Sequence, residues 1–191
     1  QFTPGATHLG VPYREVGVDT QAEIDSELLK PRNTVAECYQ KVLNDLNDAE
    51  SLITSSNLNY ASKNAAIAFK TRVYLHMRDW DSVITEGNKL TGAYTLTPTP
   101  DGPFANSYSN TESIFSIKHS AAINPGVNAA LASQYKRRLL VAISPIIWRD
   151  PSWLADDKRR EEGVMIFTSS GRKFTYKYKD ETNYTDAAPV I

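Results

Sequence analysis

The sequence predicts a mostly α fold of helical hairpins over residues 1–97, followed by an irregular, loop-rich half over 98–191 that contains a small β-hairpin. Three observations carry this. A capping box at Thr34 opens a long amphipathic run, and Ser62–Gly92 holds two consecutive helical patterns joined by a tight turn. After Leu90 the helical period disappears, and proline- and glycine-punctuated stretches take over, with one clear pair of strands.

Residues 1–33 have little periodicity and are broken by Pro4, Gly5, Gly10, Pro12 and Gly17, so they read as an extended surface segment. Ala22–Leu29 can form a short helix before Pro31 stops it. In Thr34-Val-Ala-Glu37 the threonine hydroxyl can accept the N3 amide while the glutamate reaches back to the cap amide. Val35, Tyr39, Val42, Leu46, Ala49 and Ile53 then recur at helical spacing, opposite Glu37, Lys41, Asn44, Asp48 and Ser51. Ser55–Tyr60 is a connecting loop. Ser62 is set to cap a helix whose stripe is Ala66, Phe69, Val73, Met77 and Trp80, widened by Ala65, Ala68 and Leu75. Trp80 is expected to be buried at the turn. Asp79 or Asp81 can cap the next helix, which is expected to pack through Val83, Ile84, Leu90 and a close-approach Gly87. Tyr74, Asp79-Trp80 and Val83 make this hairpin resemble a tetratricopeptide repeat, from which Thr71 and Gly87 depart. A lone hairpin cannot bury both faces, so the helix from Val35 is its partner.

In the second half, Ala93–Leu96 reads as extended, Thr97–Asn110 as loop and Glu112–Lys118 as a strand. Ala121–Ser133 is a loop with one helical turn. Ser144-Pro145 has cap-and-first-turn chemistry and opens a short helix through Ile147-Trp148. Val164–Thr168 and Lys173–Tyr178 flank Ser169-Ser-Gly-Arg172 as a hairpin, with Phe174, Tyr176 and Tyr178 on one face.

The 191 residues, 41% hydrophobic and 23% charged with net charge −1, are ordinary for a globular chain and give no attraction to nucleic acid. Lys136-Arg137-Arg138 and Lys158-Arg159-Arg160 read as solvated faces. The single cysteine, Cys38, permits no internal disulfide and reads as a small buried apolar residue. No apolar stretch approaches the roughly 20 residues of a membrane helix. His8, His76 and His119 are scattered, and no serine sits in a nucleophile elbow. Phosphate-loop, dinucleotide and EF-hand patterns are absent, so Asp150, Asp156 and Asp157 read as surface carboxylates. The sequence therefore assigns no catalytic residue, no metal ligand and no cofactor.

Aromatic residues are more informative. The chain has 10 Tyr and 3 Trp, and Trp148, Trp153, Tyr176, Tyr178 and Tyr184 fall in the irregular half. Flat rings with a polar tip suit stacking against the apolar face of a sugar ring. In Ile147–Asp156, Pro151 favours an extended Asp150, so a loop can present both indoles. Trp148, Arg149, Asp150 and Trp153 are the ligand-binding candidates, with Tyr184 as a weaker one. The alternative is that both indoles anchor the loop.

The order of segments is distinctive. Gly10-Val-Pro12, then Pro31-Arg-Asn-Thr34 opening a helix, then Ala65-Ala66 through Arg72-Val-Tyr-Leu-His-Met-Arg-Asp-Trp80 are followed by Tyr94-Thr-Leu and Asn110-Thr-Glu-Ser-Ile-Phe-Ser-Ile117. This series resembles the SusD/RagB family, the glycan- or nutrient-binding lipoproteins of the Bacteroidetes outer membrane. The resemblance implies a single SusD-like domain, partial here, with tetratricopeptide-like hairpins and a loop-rich half that carries the glycan site. It also implies capture of an oligosaccharide or other nutrient without cleavage. Its implied partner is a SusC-like TonB-dependent transporter, with membrane association through a lipid anchor outside this chain. Cys38 does not match the lipidated position. A tetratricopeptide-type protein–protein adapter without sugar binding is the alternative, and a glycan hydrolase ranks below both.

Overall fold

The computed structural model describes residues 2–3, 5–54, 60–105 and 110–191. The connecting loop read at Ser55–Tyr60 thus falls largely outside the described residues, as does part of the loop read at Thr97–Asn110. The chain forms two compact units, Gln1–Ser55 with Ser62–Thr91, and Ser56–Ala61 with Gly92–Ile191.

In the first unit, α1 (Gln21–Leu28) starts at a capping box of Thr20 and Glu23 that the sequence reading missed. Helix α2 (Val35–Leu52) starts as expected: the Glu37 N–H donates to Thr34 Oγ1 at 3.2 Å, and the Thr34 N–H donates to the Glu37 carboxylate at 2.8 Å. Ser62 caps α3 (Lys63–Met77), accepting the Ala65 N–H at 3.1 Å. Arg78 then turns left-handed at φ 61°, and Asp79 caps α4 (Trp80–Asn88). Helix α3 packs against both α2 and α4, and Ala65, Ala66, Ile67 and Ala68 are buried along it with Leu43 of α2. Four small or compact residues in a row allow both neighbours to approach.

Several expectations need correction. Trp80 is 57% exposed, not buried. The left-handed Arg78 ends α3 at Met77, so Trp80 begins the next helix and leaves the α3 stripe. Leu75 and Ile84 are exposed too. Gly87 permits no close approach, because a Cβ built there meets nothing within 4 Å. On α2 the expected Val35, Tyr39, Leu46, Ala49 and Ile53 are half-buried, but Val42 is exposed and the fully buried residue is its neighbour Leu43. Cys38 is only half-buried, with Sγ 3.5 Å from the Val11 carbonyl, and a Cβ on Gly10 would come within 3.0 Å of that sulfur.

A polar network joins the three helices. Lys70 of α3 is 2% exposed, and its ammonium pairs with Glu50 of α2 and, at 3.0 Å, with Glu86 of α4. Asn47 accepts a further hydrogen bond from it at 3.1 Å. Lys89 closes the network at 3.2 Å from Glu50 and 2.9 Å from Glu86. Glu86 Oε2 accepts no regular hydrogen bond and is satisfied by these two cations. A buried charge is tolerable only when paired in this way. The Lys70 hydrogen bond holds the Glu50 carboxyl below its ordinary range, against the opposing effect of burial, while Glu86 raises Lys89.

In the second unit, β1 (Ser116–Ile117) pairs antiparallel with β4 (Ala188–Pro189). The expected strand over Glu112–Lys118 is shortened because Asn110 Oδ1 captures the N–H groups of Glu112 and Ser113. A short helix, α5 (Gly126–Ala129), precedes a wider helical turn over Ser133–Arg137, and Ala130, Ala132 and Tyr184 form a buried cluster beside Tyr178. The predicted helix opened by Ser144 is α6 (Pro145–Trp148), whose cap oxygen accepts the Ile146 N–H at 3.2 Å. Strands β2 (Ile166–Ser169) and β3 (Arg172–Thr175) form the expected hairpin, with Phe167 opposite Phe174. Ser170 and Gly171 both have positive φ, as a two-residue hairpin turn of this hand requires.

The row of three rings is not one face. Phe174 and Tyr176 both pack on Phe167, at centroid distances of 5.4 and 5.5 Å. Strand β3 ends at Thr175, and Tyr178 instead meets Tyr135 and Phe104. The first basic run is also not a plain solvated face: Lys136 donates to the Lys179 carbonyl at 2.8 Å, and Arg137 donates to the Tyr184 hydroxyl.

Candidate functional site

The site is built where α6 lies beside the β2–β3 hairpin. The Ile143 N–H donates to the Lys173 carbonyl at 2.7 Å, extending β3 by one bond and fixing the start of α6 against the strand. Pro145 at the first helical position presets the turn. Four residues later the helix stops, and the chain folds through a turn in which Asp150 Oδ1 accepts the Ser152 N–H at 2.9 Å and its hydroxyl at 2.6 Å. These bonds, the hydroxyl first, hold the Asp150 carboxyl below the usual carboxylate range.

The two indoles meet edge to face, with centroids 5.5 Å apart and planes at 76°. Arg160 staples them. Its guanidinium lies 4.1 Å from the Trp148 ring centroid and 5.2 Å from that of Trp153, while donating to the backbone carbonyls of both residues. Trp153 Nε1 donates to Asp157 at 3.1 Å. Asp157 is held down at about 2, chiefly by Arg159. The second basic run is therefore divided in role: Arg159 is an exposed partner of Asp157, whereas Arg160 is half-buried and structural. Lys173 stands 4.7 Å from the Trp148 centroid and also contacts Glu162 at 3.4 Å and the Thr168 hydroxyl at 3.1 Å.

A cleft of about 380 Å³ opens here, within the size range of small-ligand sites. Ala142, Ile143 and Pro145 supply apolar lining, and Ser144, Trp148, Arg149, Arg172 and Lys173 supply the rest with Gly171. A neighbouring cleft of about 460 Å³ shares residues 142–144 and adds Tyr135, Lys177 and Tyr178.

Of the residues predicted from sequence, Trp148 and Arg149 line the first cleft. Trp153 supports it through Trp148, and Asp150 is committed to its own turn. Tyr184 lies elsewhere, buried with Ala130 and Ala132, its backbone left-handed at φ 56°. Arg160, Arg172 and Lys173 were missed. The hairpin signal at Ser169–Arg172 located the last two, but nothing in the sequence placed that hairpin beside α6. Among the described residues no group of three or more His, Cys, Asp or Glu side chains is placed to hold a metal, and no helix is long and apolar enough to cross a membrane.

Helical hairpins followed by a loop-rich half with a small hairpin define a fold shared with solved SusD superfamily proteins. One from Bacteroides fragilis is 27% identical with a TM-score of 0.74, over 98% of this chain and 43% of that one. Another, from Bacteroides thetaiotaomicron, is 21% identical with a TM-score of 0.75, over 98% of this chain and 45% of that one. A Bacteroides vulgatus protein provisionally named for sugar binding is 26% identical with a TM-score of 0.75, over 97% and 43% of the two chains. A SusD-like family model, described as starch-binding and associating with the outer membrane, matches residues 1–75. The chain is thus similar to SusD superfamily proteins in fold over nearly its whole length, and to the SusD-like family model over residues 1–75. It spans less than half the length of these solved structures. No curated protein matches it.

Proposed function

We propose that this chain is part of a protein that captures oligosaccharide, or another nutrient, at the surface of the bacterial outer membrane. It passes the ligand without cleavage to a SusC-like TonB-dependent transporter, and a lipid anchor outside this chain holds it at the membrane. The observation that carries this is the SusD-like match over residues 1–75, with its starch-binding, outer-membrane description. The cleft beside Trp148 supports it, because an oriented indole beside hydrogen-bonding side chains is what sugar binding needs. Trp148 and Arg149 are the proposed ligand contacts. Trp153 and Asp150 position the loop, and Tyr184 contributes to its own cluster and not to this cleft.

Affinity electrophoresis of the chain through gels containing starch, pectin or sulfated polysaccharide tests this reading. Retardation by at least one polysaccharide, relieved in Trp148→Ala, is expected. Migration unaltered by every polysaccharide sinks the reading.

A further inference from the structure

The geometry points to an acidic sugar, bearing a carboxylate or a sulfate, as the ligand of the cleft beside Trp148; this rests on the capture reading above. Three cationic side chains line the cleft, Arg149, Arg172 and Lys173, and among the described residues no carboxylate does. The whole chain carries 21 basic and 22 acidic residues, so this local excess is not a reflection of composition. The cations come from separate elements. Arg149 follows the last residue of α6, and Arg172 opens β3 directly after the two-residue turn. The Ile143–Lys173 hydrogen bond and the packing of Trp148 against Lys173 help to bring them to one place.

Their partners differ. Lys173 already has Glu162, Thr168 and the Trp148 ring. Among the described residues, neither the Arg149 nor the Arg172 guanidinium is paired with a carboxylate or a hydrogen-bond acceptor. Like charges gathered in one cleft repel, and a bound anion relieves that repulsion. A planar guanidinium also matches a carboxylate or sulfate with two parallel hydrogen bonds, which a neutral hydroxyl cannot accept. Trp148 lines the cleft beside these cations, and Arg160 keeps the indole in place from within the loop. A neutral glucan would use the indole and leave the charge unanswered.

Isothermal titration of the chain with trigalacturonate, a chondroitin sulfate tetrasaccharide and maltoheptaose, at low and high salt, tests this. At least one acidic oligosaccharide is expected to bind tenfold or more tightly than maltoheptaose, and to weaken as salt rises, since exposed charges are screened. The trigalacturonate and sulfate arms tell the two anions apart. Arg149→Gln and Arg172→Gln should each lose about tenfold, the scale of a lost charged hydrogen bond, and Arg172→Lys should retain part of the affinity. Urea midpoints equal to that of the parent chain show that the variants remain folded. Maltoheptaose binding that needs Trp148 but ignores both arginines overturns the inference and leaves capture standing. Equal binding of polyphosphate, indifferent to Trp148→Ala, also overturns it, as a bare cationic patch. If no oligosaccharide of either kind binds, the capture reading itself fails.

Discussion

Lys70→Met is the sharpest perturbation of the scaffold. The parent ammonium is 2% exposed and shared between Glu50 and Glu86, whose side chains are 20% and 12% exposed. Methionine fills most of the volume, so the loss is electrostatic: two carboxylates from α2 and α4 are left facing Lys89 alone. Removing one partner of a buried ion pair costs about 3–5 kcal/mol. Residual solvation of Glu50 and the surviving Lys89 place this case at the lower end, about 3 kcal/mol. For a chain of this size that corresponds to a fall in melting temperature of about 6–12 °C. Urea unfolding followed by far-ultraviolet circular dichroism reads the loss directly. Adding Glu50→Gln and Glu86→Gln to Lys70→Met should restore most of it, because the uncompensated charges are then gone. The pH profile is a second readout. Glu50 has a depressed folded value, so its contribution is present above the ordinary carboxylate range and is lost as pH falls through the lowered value. Lys89 has a raised one, so its contribution is present below the ordinary lysine range and is lost as pH rises through the raised value. Lys70→Met should blunt the acid limb. A loss under about 1 kcal/mol, the scale of an exposed pair, would refute the placement of Lys70 between the three helices.

Three other substitutions follow from the geometry. Thr34→Ala removes one half of the α2 capping box and should cost about 1 kcal/mol in urea unfolding. Trp80→Ala, at a site 57% exposed, should cost no more than about 1 kcal/mol, far below the roughly 3–5 kcal/mol of a buried aromatic. Arg160→Gln should release both indoles of the 148–153 loop, seen as loss of near-ultraviolet circular dichroism with the far-ultraviolet signal kept.

Local signals were legible wherever the determinant was local. The Thr34–Glu37 box, the Ser62 cap and the Ser144-Pro145 start of α6 are each set by residues within four positions, and each stands where the spacing put it. Trp80 was misplaced because periodicity cannot see a left-handed residue such as Arg78 ending the helix before the stripe does. Lys70 was invisible for a different reason. A lysine within an apolar run reads as solvent-facing until Glu50 and Glu86, 20 and 16 residues away, are known to converge on it. The candidate site was legible by half: Trp148 and Arg149 were singled out by ring and charge content. Lys173 and Arg160 reach the same indole through tertiary contacts that no spacing records.

The central claim is that Trp148 marks the ligand site, and the indole N–H groups read it directly. The chain has 3 Trp, so a two-dimensional 1H–15N spectrum shows three indole signals, assignable with Trp→Phe variants. Titration with the oligosaccharide that binds should move the Trp148 signal most and the Trp153 signal less, while Trp80, in the other unit, stays fixed. A titration that moves Trp80 and leaves Trp148 unmoved would contradict the account.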